Sequence, residues 1–162
     1  MPYTPVLATL GYVLSPTRTH VLLIHRNALE GDYHAGKYNG LGGKLEPHED
    51  LAAGMRREIR EESGLDVVEM TLRGTISWPG FGGGGEDWFG FLFLITRFMG
   101  TALTRTREGT LTWVEVDRMP ALPMWEGANH FLQLVFDEDP RPFHGVMPYE
   151  NGRMISWSYT RG

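Results

Sequence analysis

Apolar residues recur along the chain at two spacings, one typical of strands and one typical of helices. Two early runs, Val6 to Leu14 and His20 to Arg26, are rich in aliphatic residues and flank a Ser-Pro-Thr turn, which predicts two neighbouring strands. Runs of the same kind predict three later strands, at Val67 to Trp78, Trp88 to Phe98 and Leu111 to Val116. Most of the chain is therefore predicted to form β structure.

Two segments carry apolar residues at helical spacing instead. In residues 49 to 63, Leu51, Met55 and Ile59 recur every four positions, and Gly64 follows where glycine is favoured just past a helix end. The second predicted helix is Asn129 to Asp137, with Phe131, Leu134 and Val135 on one face.

The chain ends in a predicted hairpin. Phe143 to Tyr149 and Arg153 to Tyr159 flank Asn151-Gly152, a dipeptide favoured in type I′ turns. The element order β-β-helix-β-β-β-helix-β-β predicts an α/β fold in which a mixed sheet lies between helices. A length of 162 residues fits one domain, covering residues 1–162.

The first predicted helix concentrates carboxylates on one side. Glu58, Glu61 and Glu62 stand at i, i+3 and i+4, so we expect their side chains to project toward a common point. A hard cation such as Mg2+ relieves the resulting repulsion and is commonly completed by substrate phosphate oxygens. Arg57 precedes Glu61 by four residues and can hold that carboxylate in place. The alternative is a helix with ordinary surface salt bridges.

The spacing around these acids is more specific than the acids alone. Residues 43 to 65 fit the pattern G-x5-E-x7-R-E-U-x-E-E-x-G-U, where U is aliphatic, at every fixed position. This stretch resembles the motif of the Nudix hydrolases, which implies an α/β/α sandwich and phosphoanhydride hydrolysis. The resemblance matches the metal ligands of that family to the Gly43 carbonyl, Glu58, Glu61 and Glu62, and it matches Lys44 to a phosphate contact.

Outside this motif the chain resembles the MutT/MutX-like 8-oxo-dGTP diphosphatase subgroup. Weaker segments carry the likeness, including Lys37-Tyr38-Asn39-Gly40 and Pro123-Met124-Trp125-Glu126-Gly127. The likeness implies a purine pocket lined by Thr9, Asn39 and Trp125, with an aromatic wall at Trp78 or Phe81. Relatives carry one or two aspartates just after the tryptophan, whereas this chain has Glu126-Gly127-Ala128-Asn129, so Glu126 or Asn129 is expected to substitute.

Hydrolysis also requires a proton acceptor. Glu58 is one candidate, and Glu108, which precedes a predicted strand and matches an acidic position of the subgroup, is the other, as base or as a further metal ligand. The sequence does not choose between them.

Composition excludes several other functions. The net charge is −5 with 15 basic residues spread along the chain, which argues against polymeric nucleic acid as a partner. There are no cysteines and no long apolar run, so we expect a cytoplasmic protein that does not enter membranes, as a monomer or weak dimer.

Together these patterns predict a Mg2+-dependent hydrolase, with Mn2+ as an alternative ion. The resemblance to the 8-oxo-dGTP diphosphatase subgroup implies that it cleaves a nucleoside triphosphate to the monophosphate and pyrophosphate and removes 8-oxo-dGTP from the nucleotide pool. Two alternatives stay open: the same chemistry on an ordinary nucleoside triphosphate or a dinucleoside polyphosphate, and a non-catalytic nucleotide sensor. Retention of Glu58, Glu61 and Glu62 argues against the sensor.

Overall fold

A nine-stranded mixed sheet forms the centre of the computed structural model, which describes residues 1–162. The strands are β1 (Val6–Leu14), β2 (His20–His25), β3 (Tyr38–Asn39), β4 (Leu41–Lys44), β5 (Asp66–Trp78), β6 (Trp88–Met99), β7 (Thr110–Glu115), β8 (Phe143–Val146), β9 (Tyr149–Glu150), β10 (Arg153–Met154) and β11 (Ser158–Arg161). The helices are α1 (Leu51–Ser63), a 3-10 helix (Val116–Ala121) and α2 (Ala128–Phe136).

The main sheet has the order β11-β8-β5-β6-β1-β2-β3, with β4 paired to β1 and β7 paired to β2. The β1–β6 and β5–β8 pairs are parallel and the others are antiparallel. The mixed sheet predicted from the element order is thus confirmed.

Each face of the sheet is covered by one α-helix. Side chains alternate along β1, so Val13 packs with Met55 and Ile59 of α1, while its neighbour Tyr12 packs with Phe131 of α2. The two hydrophobic cores are separate layers, as an α/β/α sandwich requires.

Helix α1 begins two residues later than its apolar pattern indicated. Asp50 is the N-cap, and its carboxylate accepts a hydrogen bond from the Ala53 amide at 2.8 Å. Glu49 lies outside the helix, where its carboxylate accepts from the Glu46 amide. The helix ends at Gly64, whose φ of 78° is the left-handed conformation that favours glycine.

The C-terminal hairpin is divided into two ladders. The tip forms as predicted, since β9 and β10 pair around Asn151 and Gly152, which have φ values of 50° and 77°. Beyond the tip, β8 and β11 join the main sheet beside β5. Between the two ladders the Met147 amide donates to the Ser77 carbonyl at 2.8 Å, which ties the interruption to the end of β5.

None of the helices is long and apolar enough to cross a membrane.

Candidate active site

The acidic face of α1 lies against the glycine-rich strand β4. Gly43 pairs with Thr9 of β1, and a Cβ atom at Gly43 would lie only 2.6 Å from Glu58 Oε1. The absence of a side chain therefore lets the Glu58 carboxylate approach the β4 backbone. The Gly42 amide donates a hydrogen bond to Glu62, and the Thr9 hydroxyl points to the Gly43 carbonyl at 3.5 Å.

Glu58 and Glu62 are in hydrogen-bond contact with each other, one helical turn apart. Burial raises the pKa of both carboxyl groups, and the charges of Glu108 and Glu58 raise the pKa of Glu62 further. Burial and mutual repulsion therefore oppose full ionisation of this pair unless a cation supplies positive charge.

Arg57 organises the carboxylates at the outer edge of this pair. Its guanidinium donates to both oxygens of Glu49, at 2.9 and 2.7 Å, and its Nη1 donates to Glu58 at 3.0 Å and to Glu61 at 3.2 Å. It also donates to the Lys44 carbonyl at 3.2 Å, which ties α1 to the end of β4. Arg57 thus fixes the position of Glu58 and links it to the glycine-rich strand.

Glu61 does not join Glu58 and Glu62 at a common point, in contrast to the expectation from helix geometry. Its side chain is 59% exposed and is held by Arg57 instead. No group of three or more acidic or histidine side chains is arranged around one point as a formed metal centre. The donor set nevertheless fits a hard divalent cation, because it consists of carboxylate and carbonyl oxygens.

Glu108 approaches from the segment before β7. Arg26 at the end of β2 holds it, with Nη2 lying 2.8 Å from Glu108 Oε2. The same guanidinium donates to both carboxylate oxygens of Asp32, at 2.9 and 3.0 Å. Arg26 therefore links Glu108 to Asp32 in the loop that connects β2 and β3.

A cavity of about 380 Å³ opens beside these acids, between the sheet and α2. One end is bordered by Gly42, Gly43, Lys44 and Glu108, next to the acidic face of α1. The other end is aromatic and is lined by Trp78, Phe81, Trp125, Phe131 and Tyr149. Such a cavity, apolar with a few polar groups at one end, is typical of small-molecule sites.

The Trp125 indole contacts four side chains from two loops. Its indole Nε1 donates to His34 Nδ1 at 2.6 Å, and the Lys37 ammonium lies over its ring, 4.3 Å from the centroid. Phe81 packs against it edge-on and Tyr33 packs against it at a tilt, with centroid distances of 4.9 and 4.8 Å. The ring orientation is thus fixed by residues from two distant loops.

Eight of the side chains or backbone positions predicted from sequence line this cavity: Thr9, Asn39, Gly43, Lys44, Trp78, Phe81, Glu108 and Trp125. Arg57, Glu58, Glu61 and Glu62 lie on α1 behind the β4 glycines rather than in its wall. The structure therefore brings the predicted base pocket and the predicted acidic cluster together through Gly42 and Gly43.

Glu126 does not lie in the cavity wall. Its carboxylate accepts hydrogen bonds from the Met154 amide at 2.9 Å and from Arg153 at 3.2 Å, so the terminal hairpin holds it. Asn129 is also outside, with its amide directed to the Pro120 carbonyl. Neither residue lines the cavity, whereas the buried side chain of Ala128 between them does.

Sequence patterns gave no indication of several lining residues. Arg26, His34, Trp88 and Tyr149 all border the cavity. Arg26 ends a predicted strand and His34 lies in a glycine-containing loop, so no periodicity distinguishes them. Their roles depend on contacts with residues far away in the chain.

Comparison with known proteins agrees with this geometry. The NUDIX domain family matches residues 5–135. The chain is 32% identical over 153 residues to the oxidized purine nucleoside triphosphate hydrolase of Danio rerio, covering 94% of this chain and 92% of the relative. It is 31% identical over 135 residues to the enzyme of the same name from Mus musculus, covering 83% and 82%.

A solved structure supports the same assignment. The crystal structure of a MutT protein from Bacillus halodurans superposes with a TM-score of 0.81 at 26% identity, covering 95% of this chain and 97% of that one. The match of a family across most of the chain, together with the shared sandwich, identifies this protein as a member of the Nudix hydrolase family.

Proposed function

We propose that this Nudix hydrolase cleaves nucleoside triphosphates to the monophosphate and pyrophosphate, with Mg2+ as cofactor and oxidised purine nucleotides such as 8-oxo-dGTP as preferred substrates. One observation carries the proposal. A single cavity is lined both by the aromatic side chains of Trp78, Phe81 and Trp125 and by Lys44, Glu108 and the β4 glycines. A nucleotide bound with its base at the aromatic end places its phosphates beside Glu58 and Glu62.

The acidic end is suited to phosphoryl chemistry. Nudix hydrolases generally use divalent metal ions, and here Glu58, Glu62, the Gly43 carbonyl and Glu108 would hold the ion, with Glu61 after release from Arg57. A divalent cation supplies charge neutralisation on the phosphoryl oxygens and activates water. Lys44 adds a point charge for phosphate, and Arg57 keeps Glu58 in position.

Two residues are candidates for the proton acceptor. Glu58 lies against Gly43 and is bound by Arg57, whereas Glu108 lies at the cavity edge and is bound by Arg26. Both positions are within the acidic end of the site. The variants Glu58→Gln and Glu108→Gln distinguish them, because only loss of the base removes the acidic limb of the pH profile of kcat.

The names of the two vertebrate relatives favour oxidised purine nucleoside triphosphates as the substrate class. The aromatic end of the cavity supports a flat base, since Trp78, Phe81 and Trp125 offer large apolar surfaces. Asn39 adds an amide at the cavity wall that can both donate to and accept from a purine edge.

Steady-state hydrolysis with Mg2+ or Mn2+ tests the proposal. We expect 8-oxo-dGTP to give a higher kcat/KM than dGTP, and chromatography to detect monophosphate and pyrophosphate rather than diphosphate and phosphate. Equal kcat/KM values would remove the preference for oxidised purines while leaving the reaction in place. Nucleotide binding without any phosphoanhydride cleavage would refute the enzymatic function and favour a sensor.

A further inference from the structure

The structure contains only two buried side-chain nitrogen or oxygen atoms that make no hydrogen bond, Asn39 Nδ2 and Trp88 Nε1. Both belong to residues that line the same cavity. An unpaired buried polar atom costs about 1–3 kcal/mol, and such atoms are rare in native proteins. Neither atom has a partner within the chain, although both residues border the same cavity.

Trp88 is informative because an indole nitrogen can only donate. Trp88 pairs directly with Trp78 across the β5–β6 ladder, and the Trp78 ring covers the neighbouring Gly90. Trp78 in turn packs against Phe81 and Phe131 at the aromatic end of the cavity. The Lys44 ammonium lies 5.7 Å from the centroid of the Trp88 ring, so Trp88 stands between the aromatic surfaces and Lys44.

His34 supplies a second donor at the same end. Its Nδ1 accepts from Trp125, so in the neutral ring the proton is on Nε2, which makes no hydrogen bond within the chain. Burial, with the charges of Arg26 and Lys37, lowers the pKa of His34 to about 4 and keeps the ring neutral near pH 7. The imidazole thus offers one fixed N–H.

The aromatic end lacks a free carboxylate to balance these donors. Glu126 is bound by Arg153 and the Met154 amide, and the lining residue Ala128 has no polar side chain. Glu108 is at the opposite end and is paired with Arg26. Base edges that mainly donate find few acceptors in this cavity, whereas edges rich in carbonyl oxygen find several donors.

We infer that Trp88 and His34 are specificity-determining residues, whose N–H groups donate to carbonyl oxygens of the bound base beside the Asn39 amide. This cavity would then select oxygen-rich bases through N–H donors. The inference rests on the proposed function in taking the cavity as the site of the base. It goes further in assigning the selectivity to two residues outside the family motif.

Binding of product-like monophosphates tests the inference without requiring catalysis. Titration calorimetry on the full chain compares 8-oxo-dGMP, dGMP and 2-deoxyribose 5-phosphate, which has no base. For Trp88→Phe, which removes the N–H and keeps an aromatic ring, we expect the preference for 8-oxo-dGMP over dGMP to fall about tenfold. Trp113→Phe is the matched control, because Trp113 lies outside this cavity against Phe98, and its preference should be unchanged.

His34→Asn provides a separate measurement. The asparagine Oδ1 can still accept from Trp125, but the Nε2–H donor is lost, so we expect a fall of about fivefold in the same preference with the Trp125 environment retained. A matching fall for Trp88→Phe and His34→Asn supports donation to the base. An unchanged preference for 8-oxo-dGMP over dGMP in both variants overturns the inference. An equal loss of affinity for 2-deoxyribose 5-phosphate, which has no base, overturns it as well.

The indole N–H can also be observed directly. The chain has five tryptophans, and the Trp88 indole resonance in a proton–nitrogen spectrum is assigned by its loss in Trp88→Phe. Hydrogen bonding to a carbonyl is expected to shift this resonance downfield with 8-oxo-dGMP more than with dGMP. If the Trp88 resonance does not shift when the protein is saturated with 8-oxo-dGMP, the role of Trp88 is overturned, even if the chain hydrolyses 8-oxo-dGTP. If the chain does not hydrolyse 8-oxo-dGTP, the proposed function fails, but the binding measurement still decides the role of Trp88.

Discussion

Replacing Glu62 by glutamine is expected to have opposite effects on activity and stability. Glu62 is buried beside Glu58 and close to Glu108, so the metal-free fold holds neighbouring carboxyl groups that repel when ionised. Glutamine keeps the shape and the hydrogen bond from the Gly42 amide, but it brings no charge. The metal-free variant should therefore be more stable than the wild type and much less active.

The size of the stability gain follows from the raised pKa. If the Glu62 carboxyl stays protonated near pH 7, folding takes up a proton that an ordinary glutamate with a pKa of 4.5 has already lost. That uptake costs at most about 3 kcal/mol, at about 1.4 kcal/mol for each pH unit. For a chain of this length, a gain of 1–3 kcal/mol raises Tm by about 2–10 °C.

The activity loss has a different origin. A bound cation contributes several kcal/mol to the transition state, so losing one carboxylate ligand is expected to lower kcat by about 10²–10⁴-fold. Mg2+ should raise the Tm of the wild type and have little effect on Glu62→Gln.

Thermal unfolding in EDTA and in Mg2+, together with steady-state kinetics, measures both effects on the same samples. Glu61→Gln is the control for stability, because the exposed Glu61 side chain carries no comparable burial and should give no increase in Tm in EDTA. A Glu62→Gln protein with near-normal turnover would show that the metal site is elsewhere. A variant less stable than the wild type in EDTA would refute the electrostatic reasoning.

Three further substitutions test other parts of the structure. Gly43→Ala places a Cβ atom 2.6 Å from Glu58 Oε1, so kcat should fall at least about tenfold. The circular dichroism spectrum should be unchanged, and normal turnover would contradict the close approach of Glu58 to Gly43. Arg73→Met removes buried hydrogen bonds to the C-terminal carbonyls of α2, so urea unfolding should show a loss of about 3 kcal/mol without a change in KM. The pKa of His34 falls to about 4 in the folded state, so the unfolded chain binds more protons than the folded chain between pH 6.5 and 4. On acidification through this range, the free energy of unfolding of the wild type should fall by up to about 3 kcal/mol more than that of His34→Asn. Parallel curves of stability against pH for the two proteins would contradict this.

The acidic helix was predictable because its geometry is local. The four-residue recurrence of Leu51, Met55 and Ile59 fixes which side of α1 faces the sheet, and that in turn fixes where Glu58 and Glu62 point. The failure at Glu61 has a local cause as well. The sequence allowed an Arg57–Glu61 pair, but the additional contacts of Arg57 with Glu49 and Glu58 keep Glu61 at the outer edge.

The aromatic end of the cavity was less predictable, since it is assembled from long-range contacts. Trp125 and His34 are 91 positions apart, and neither lies in an element with a strong period. Glu126 was expected in the pocket because it directly follows Trp125. Its carboxylate is held instead by the Met154 amide, a contact that depends on how the terminal hairpin folds back.

This division between local and distant contacts has a consequence for substrate choice. The acidic end is built by α1 and β4, which are adjacent in sequence and tied together through Arg57 and the Lys44 carbonyl. The aromatic end instead joins distant segments, including two loops that meet where the Tyr33 hydroxyl donates to the Phe81 carbonyl at 2.9 Å. Under the proposed function, substitutions in these loops are expected to alter which base is bound without displacing Glu58 or Glu62. The proposed selectivity is thus separable from Glu58 and Glu62 but not from Glu108, because Asp32 in the loop that carries His34 binds the Arg26 guanidinium that also holds Glu108.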